Sequence, residues 1–399
     1  MAESILVLNA GSSSIKFAVF PATRPNGGGR DTPVFRGAIE GIARNSRFRV
    51  ADANGDTLFN DDAPQAANHD EAIGLLFGWL DNNPDAPDLV AAGHRVVHGS
   101  DVFSEPVLVT PEIMERLDGF SFLAPHHQPH NVAAIRAVQE RLGIPQVACF
   151  DTAFHAAQPA LARQTGLPAR YWEDGVRRYG FHGLAFESVM DSWRGTTGRE
   201  IPKRLVLAHL GNGASMCAVL DGRSIAATMG FSTVDGLPMG TRSGAVDPGA
   251  LLHVARAEGL DIEGLSALIY EQSGLLGLSG IDADMRTLLD SPEPTARTAI
   301  DFFCYRICRE LGSLAAALGG LDALVFSGGI GENAASVRQT VMEGATWLGL
   351  EPDADANRAG GSMISTAACR VSAWVIPSDE ERIIAGHTRG LTAGGGEAI

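Results

Sequence analysis

Apolar residues fill the chain from Ile5 to Leu8 and again from Ile15 to Phe20, with a short Gly-Ser stretch between them: "ILVLNAGSSSIKFAVF". Two β-rich runs flanking a small polar turn predict a hairpin, with strands over 5–9 and 15–20. The same design recurs about two hundred residues later. "RLVLAHLGNGASMCAVLDGRSIAATM" (Arg204 to Met229) reads as strand, "GNGAS" turn, strand, "DG" turn, strand. Two hairpins of one pattern, each opening a stretch long enough for a domain, suggest an internal repeat.

Between them, "LVAAGHRVVHGS" (89–100) and "IPQVACFDTAFH" (144–155) read as buried strands ending in polar groups. "PEIMERLDGF" and "HNVAAIRAVQERLG" have helical spacing, the second closed by Gly143. Helices are expected over 247–258, 262–272 and 293–318, with "SGLLGLSG" as a glycine-rich loop among them. "LDALVFSGGIGENAASVRQTV" predicts strand, glycine turn and helix. "ACRVSAWVIP" predicts the last strand, and "SDEERIIAGHTRGL" a last helix with Ser378 and Glu381 as its capping box. "TRPNGGGRD" is expected to be a surface loop and "TAGGGEAI" a mobile tail. Hairpins mixed with helices in two similar halves imply an α/β fold with a cleft between the halves.

Length agrees, since 399 residues suit two domains of roughly 100–200 residues each. A formal net charge of -16 argues against nucleic acid or an anionic membrane as partner, because phosphate backbones attract basic surfaces. An anionic substrate must then be held by a local cluster of positive groups. The five cysteines are scattered and form no CxxC pair, which points to a reducing, cytoplasmic setting. The apolar region near Leu311 to Ile330 is broken by glycines and Asp322, so no membrane span is expected.

The chemistry concentrates at turns. Gly11 to Lys16 does not fit the P-loop spacing, and its lysine lies on a strand rather than opening a helix. Asn9, Ser12, Ser14 and Lys16 instead line a hairpin turn, where hydroxyls, backbone N–H groups and one ammonium can cradle phosphate oxygens; a merely solvated serine turn is the alternative. Gly211 to Gly213 and "SGGIGEN" (Ser327 to Asn333) give two more places where backbone can approach a ligand closely, the second at a helix start. Together the three turns favour a nucleotide. Positive groups cluster in "GHRVVHG" (His94, Arg95, His98), "RRYGFHG" (Arg177, Arg178, His182) and "GTRSG" (Arg242). An arginine between glycines suits an anion, which its fork grips through two parallel hydrogen bonds. His126, His127 and His130 in "APHHQPHN" lack the spacing of a zinc site and read as a loop cluster with one member reaching the cleft. Asp151 ends a predicted parallel strand, and Glu380 and Glu381 open the last helix. There they either complement the helix dipole or supply a carboxylate to Mg²⁺.

"NAGSSSIKF", "HRVVHG", "FDTAFH", "RRYGFHG", "HLGNGAS", "GTRSG", "SGGIGEN" and "PSDEE" occur in this order between residues 9 and 381. In them the chain resembles the acetate kinase family, whose fold is two duplicated ribonuclease-H-like domains with an interdomain active-site cleft. The resemblance implies a first domain over 1–154 plus 385–399 and a nucleotide-binding domain over 155–384. It implies a homodimer that makes acetyl phosphate and ADP from acetate and ATP, with Mg²⁺ or Mn²⁺ held at Asn9 and Glu380. Arg95, His127, Asp151, His182 and Arg242 match catalytic positions, and Arg95, His126, Val97, Phe181 and Thr233 the acyl pocket. Ser12, Ser14 and Lys16 match the phosphate turn. The nucleotide segments match at His209, Leu210, Gly211, Asn212 and Gly213, at Asp284, Met285 and Arg286, and at Gly329, Ile330, Gly331, Glu332 and Asn333.

Three departures from the family pattern, His126, Thr233 and Ala245, bear on acid preference and leave propionate or another short acid open. Two other classes are also possible on this fold: an ATPase-driven binding protein and a sugar-hydroxyl kinase with Asp151 as base. The first calls for a partner-binding domain that the sequence lacks. Arg95 and Arg242 stand in acyl-kinase contexts, which favours the carboxylate acceptor over both.

Overall fold

The structure is a computed structural model that describes residues 2–11, 13–24, 31–43, 45–62 and 66–393. Ser12, most of the "TRPNGGGRD" segment and residues 394–399 lie outside them. The chain divides into two compact units, Met1–Ala153 with Asp379–Ile399, and Phe154–Ser378.

The first unit contains β1 (Glu3–Ala10), β2 (Ser14–Pro21), β3 (Phe35–Glu40), β4 (Arg47–Asp52), β5 (Thr57–Asp61), α1 (His69–Asn82), β6 (Asp88–Val96), β7 (Val107–Leu108), α2 (Pro111–Gly119), α3 (Gln128–Leu142) and β8 (Gln146–Phe150). The second contains α4 (Ala169–Glu173), α5 (Gly183–Thr197), β9 (Arg204–Leu210), β10 (Ala214–Leu220), β11 (Arg223–Ala227), α6 (Pro248–Glu258), α7 (Ile262–Glu271), α8 (Gly274–Ser279), α9 (Met285–Asp290), α10 (Pro294–Leu318), β12 (Ala323–Ser327), α11 (Gly328–Asn333), α12 (Ala335–Gly344), α13 (Ala354–Arg358) and β13 (Ser372–Val375). The last helix, α14 (Glu380–Thr392), returns to the first unit. The 384/385 boundary expected from the sequence therefore falls inside α14.

Both sheets repeat one topology. In the first, β3, β2 and β1 pair antiparallel, then β6 joins β1 and β8 joins β6 in parallel. In the second, β11, β10 and β9 pair antiparallel, then β12 joins β9 and β13 joins β12 in parallel. The first sheet extends this core with β4 and β5 at one edge and β7 at the other. The β3–β5 meander does not stand out in the sequence, because its strands are short and carry charge on alternate positions.

Side chains alternate faces along a strand. In β1 and β2, Leu6, Leu8, Ile15, Phe17 and Val19 pack with Ile73, Leu76 and Phe77 of α1 and Ala134 and Val138 of α3. On β6, Ala92 joins that core, whereas Gly93 faces α14: a methyl group there would lie 2.3 Å from Thr388 Oγ1 and 2.6 Å from Ile384 Cγ2. This glycine lets α14 seat on the sheet, so its first turn has a fixed place. Arg389 secures the other end of the helix. Its guanidinium donates to Asp31 at 2.5 and 2.9 Å and to the Pro21 carbonyl at 3.0 Å, with both side chains buried. Removing one partner of such a buried pair costs about 3–5 kcal/mol.

Two local expectations are corrected. The cap of α14 is Asp379, whose carboxylate accepts from the Arg382 N–H, while the Ser378 N–H goes to Glu332. "SGLLGLSG" is mostly helical, because α8 is held by N–H bonds from Leu275 and Leu276 to the carbonyls of Met239 and Gly240. Tertiary hydrogen bonds there override the low helix propensity of glycine. No described helix is long and apolar enough to cross a membrane.

Candidate active site

In the first unit, the β1–β2 register sets Asn9 opposite Lys16, so the two share a face at the hairpin mouth. Ser14 and Lys16 are more accessible than Ile15 and Phe17, as a strand with one wet face requires. Parallel pairing then places β6 beside β1 and β8 beside β6, which aligns the C-terminal reaches carrying Asn9, Arg95 and Asp151. Arg95 lies within β6 itself. Its Nε donates to both Asp151 oxygens at 3.0 and 3.1 Å, its Nη2 to Asp151 at 2.6 Å, and its Nη1 to Asn9 Oδ1 at 3.2 Å. Glu380 lies 3.6 Å from Arg95 Nε. Burial disfavours the guanidinium charge, but Asp151 and Glu380 outweigh it and hold Arg95 firmly protonated. Neighbouring Glu381 has its pKa raised by burial and by the carboxylates beside it, against the pull of Arg36 at 3.7 Å.

Asn131 of α3, which no sequence motif singles out, ties this group together. Its amide donates to the Ala10 carbonyl at 2.7 Å and accepts from the Val97 N–H at 3.0 Å. One side chain thus fixes the residues following Asn9 and Arg95. Asn131 falls at helical spacing with the buried Ala134, Ile135 and Val138, and a polar residue on that stripe is the signal that could have identified it. His127 occupies the N-cap of α3 without capping it through its side chain, His126 precedes it on the turn, and both are half-buried. His130 instead stacks on His69 at 4.1 Å.

Other expected cations turn out otherwise. His94 and His98 are buried, which lowers both pKa values to about 4 and keeps them neutral. His94 Nε2 meets Gln146 at 2.8 Å, and His98 Nδ1 accepts from the Ser100 N–H at 2.9 Å. Arg177 lies over the Trp172 ring at 4.2 Å, and Arg178 pairs with Asp235 at 2.8 Å and donates to the Ala227 and Thr228 carbonyls. These groups hold structure.

In the second unit, His182, Gly213 and Arg242 converge. A methyl group on Gly213 would lie 3.1 Å from His182 Nε2 and 3.9 Å from an Arg242 terminal nitrogen, so only glycine keeps the space open. His182 Nδ1 is 2.9 Å from Ser215 Oγ, and its ring lies 5.0 Å from that of His209. Arg242 donates to the Thr233 carbonyl at 3.2 Å. Val97 and Phe181 are both buried.

A cavity of about 670 Å³ opens in the same unit, within the range of small-molecule sites. Gly211, Asn212, Asp284, Met285, Arg286, Gly329, Ile330 and Asn333 line it, joined by Asp282, Ala283, Leu289 and Ala334. His209, Leu210, Gly213, Gly331 and Glu332 are not in its lining. Glu332 has a different job: its carboxylate accepts the Gly328 N–H at 2.8 Å, taking a donor that the helix start was expected to offer to phosphate.

The acetokinase family model matches residues 4–386. An acetate kinase of Rhodopseudomonas palustris is 50% identical over 99% of this chain and 100% of its own length. The chain belongs to the acetate kinase family. It is accordingly a kinase whose phosphoryl acceptor is a carboxyl group, with ATP as co-substrate. The crystal structure of the acetate kinase of Porphyromonas gingivalis is 35% identical, covers 98% of this chain and 100% of its own, and superposes with a TM-score of 0.86. A propionate kinase from Francisella tularensis, 33% identical with the same coverage, gives 0.89. The family thus brings with it the mixed α/β fold in two sheets seen here. Within each unit, the family's motif positions gather at strand ends: Asn9, Arg95 and Asp151 in the first, His182, Gly213 and Arg242 in the second.

Proposed function

We propose that the chain transfers the γ-phosphoryl group of magnesium-bound ATP to acetate, reversibly and in line, giving acetyl phosphate and ADP. The observation that carries this reading is the Arg95 fork closed on a carboxylate, that of Asp151, with Asn9 and Glu380 beside it. An arginine that pairs with a carboxylate in this way has the fork geometry to hold an acceptor carboxylate.

A carboxylic acid of pKa about 4 is already ionised at neutral pH, so its oxygen attacks without a general base. The barrier comes from bringing one anion onto another, and charge neutralisation and alignment are the remedy. In this reading Arg95 holds the acceptor, and Lys16 and Ser14 hold phosphate oxygens. Arg242 and His182 stabilise the equatorial oxygens in flight, with His127 assisting. Asp151 is bonded to Arg95 through both oxygens, which suits an orienting role better than that of a base. The family resemblance assigns Val97, Phe181, His126 and Thr233 to acyl binding, and the 670 Å³ cavity receives the nucleotide. Asn9 and Glu380 present hard oxygen donors that fit Mg²⁺ or Mn²⁺, and a bound cation of this kind offsets the charge of the phosphates.

The homodimer that the family resemblance implies has support in this chain. Helices α6 and α7 bury no residue, although Leu251, Leu252, Ile262, Leu265 and Leu268 make them apolar. A second copy of the chain covering them, in a homodimer, fits that exposure.

Similarity to a propionate kinase, together with the departures from the family pattern at His126, Thr233 and Ala245, favours a second reading in which propionate is the better acceptor. Hydroxylamine trapping with ATP and formate, acetate, propionate or butyrate separates these readings. An acyl phosphate yields a hydroxamate and a sugar phosphate does not. Acetate is expected to give the highest turnover; a propionate maximum supports the second reading, and no hydroxamate from any acid overturns both.

A further inference from the structure

His155 stands in the "FDTAFH" segment, is fully buried and touches none of the groups assigned to the reaction chemistry except through backbone. Its ring is gripped on both sides. Nε2 lies 3.0 Å from the Phe181 carbonyl, and Nδ1 lies 2.8 Å from Ser224 Oγ. Gln158 Nε2 donates to the same Ser224 oxygen at 2.9 Å, and Cys217 Sγ lies 3.2 Å from it.

The Phe181 carbonyl fixes the tautomer. A backbone carbonyl only accepts, so Nε2 carries the hydrogen. Burial lowers the His155 pKa to about 4, so the ring holds a single proton at neutral pH and Nδ1 is an acceptor. Two donors face Nδ1, the Ser224 hydroxyl at 2.8 Å and the Gln158 amide at 3.3 Å. From either of them the donation runs through the ring and ends on the carbonyl of Phe181.

That carbonyl belongs to an irregular turn. Gly180 has φ +81° and His182 has φ +61°, a left-handed value that costs a non-glycine residue about 1–2 kcal/mol. A methyl group on Gly180 would lie 2.6 Å from His155 Cγ, so the ring also fills the space beneath the turn. The His155 ring meets Phe186 edge-on at 5.7 Å, at the first turn of α5, where the Phe186 N–H bonds to the His182 carbonyl. Ser215, the partner of the His182 side chain, and Cys217 both lie on β10, two residues apart and therefore on one face. The backbone before His182 and the side chain of His182 are thus referenced to the same strand.

We propose that His155 is a positioning residue for phosphoryl transfer: through its Nε2–H bond to the Phe181 carbonyl it holds the strained turn that presents Phe181 to the acyl group and His182 to the transferring phosphoryl. This rests on the roles of Phe181 and His182 given under the proposed function. A displacement of about 1 Å at such a group costs on the order of 10²-fold in rate.

The test uses two substitutions and one spectroscopic readout. Glutamine places an amide N–H near the position of imidazole Nε2, whereas asparagine mimics only Nδ1. His155→Asn is expected to lower kcat by about 10–100-fold and to raise KM for acetate while leaving KM for ATP unchanged. His155→Gln is expected to restore most of the loss. Equal kcat in folded His155→Asn and wild type, or equal losses in the two variants, overturns the proposal. A loss of melting temperature with kcat per folded enzyme intact overturns it too. Nitrogen-15 NMR of histidine-labelled wild-type protein reads the tautomer without any substitution. Hydrogen on Nε2 of His155 is expected, and hydrogen on Nδ1 overturns the proposal even where His155→Asn fails to fold. Hydroxamate formation by the wild type runs alongside: its absence removes the phosphoryl-transfer reading, while the tautomer still reports on the relay.

Discussion

In the β1–β2 and β9–β10 hairpins the glycine after the first strand donates its N–H to a carbonyl further along, over a longer span in the first. The Gly11 N–H bonds to the Ser14 carbonyl at 2.8 Å, and the Gly211 N–H to the Gly213 carbonyl at 3.0 Å. The parallel strands beside them diverge. In the first unit they carry Arg95 and run up to Asp151, a charged pair with Asn9 and Glu380 around it. In the second, β12 ends at Ser327 and Gly328, and the space is left to backbone. One scaffold carries two different endings: the first unit concentrates charge there, and the second leaves clearance. Charge at a buried strand end needs partners, which explains the density of polar bonds around Arg95. Clearance needs glycine, which explains Gly213 and Gly328.

The largest effect should come from the charge that the second unit does carry. Arg242→Lys is expected to lower kcat by about 10²–10³ with little change in either KM, since a lost oxyanion donor acts in the transition state. Steady-state kinetics giving turnover within a few-fold of wild type would remove Arg242 from that role.

Gly328→Ala tests clearance. Its φ is +77°, and an added methyl group would lie only 2.7 Å from the Leu210 carbonyl oxygen. Alanine should therefore cost about 1–3 kcal/mol and weaken nucleotide binding. Calorimetry should show a melting point lower by about 2–4 °C per kcal/mol. An unchanged melting point would mean that the turn relaxes freely.

The smallest effect concerns acid. His94, His98 and His155 have pKa values near 4 in the fold, against 6.5 ordinarily, because burial disfavours their charge. The unfolded chain therefore binds more protons between these values, and stability falls as pH drops from 6.5 towards 4. Their contribution is complete above 6.5. Two of the three lie in the first unit, so hydrogen exchange at pH 5 is expected to show that unit opening more readily. Equal protection at pH 5 and pH 7 would contradict it.

Much of this architecture is legible in the sequence where periodicity and turn chemistry agree. The two hairpins, β8 running up to Asp151, α10 and the strand-turn-helix at Ser327 follow from patterns of apolar residues and glycine. α5 is less visible, because its N-cap, His182, is a left-handed residue rather than a capping serine or aspartate. The positive clusters show residue type but not partner. Arg178 finds Asp235, 57 residues away, and His94 and His98 lose their charge because the fold buries them. Polar residues that serve others, such as Asn131 and His155, stand in segments that pattern alone reads as helix or strand end. Only tertiary contact reveals their work.

The division of labour is tested most directly by measuring KM for acetate and KM for ATP in Arg95→Lys and Asn212→Ala. Lysine keeps the charge but loses the fork, so Arg95→Lys should raise KM for acetate and leave that for ATP unchanged. Asn212 lines the cavity of the second unit, so Asn212→Ala should do the reverse. Both variants raising the same KM would contradict the account.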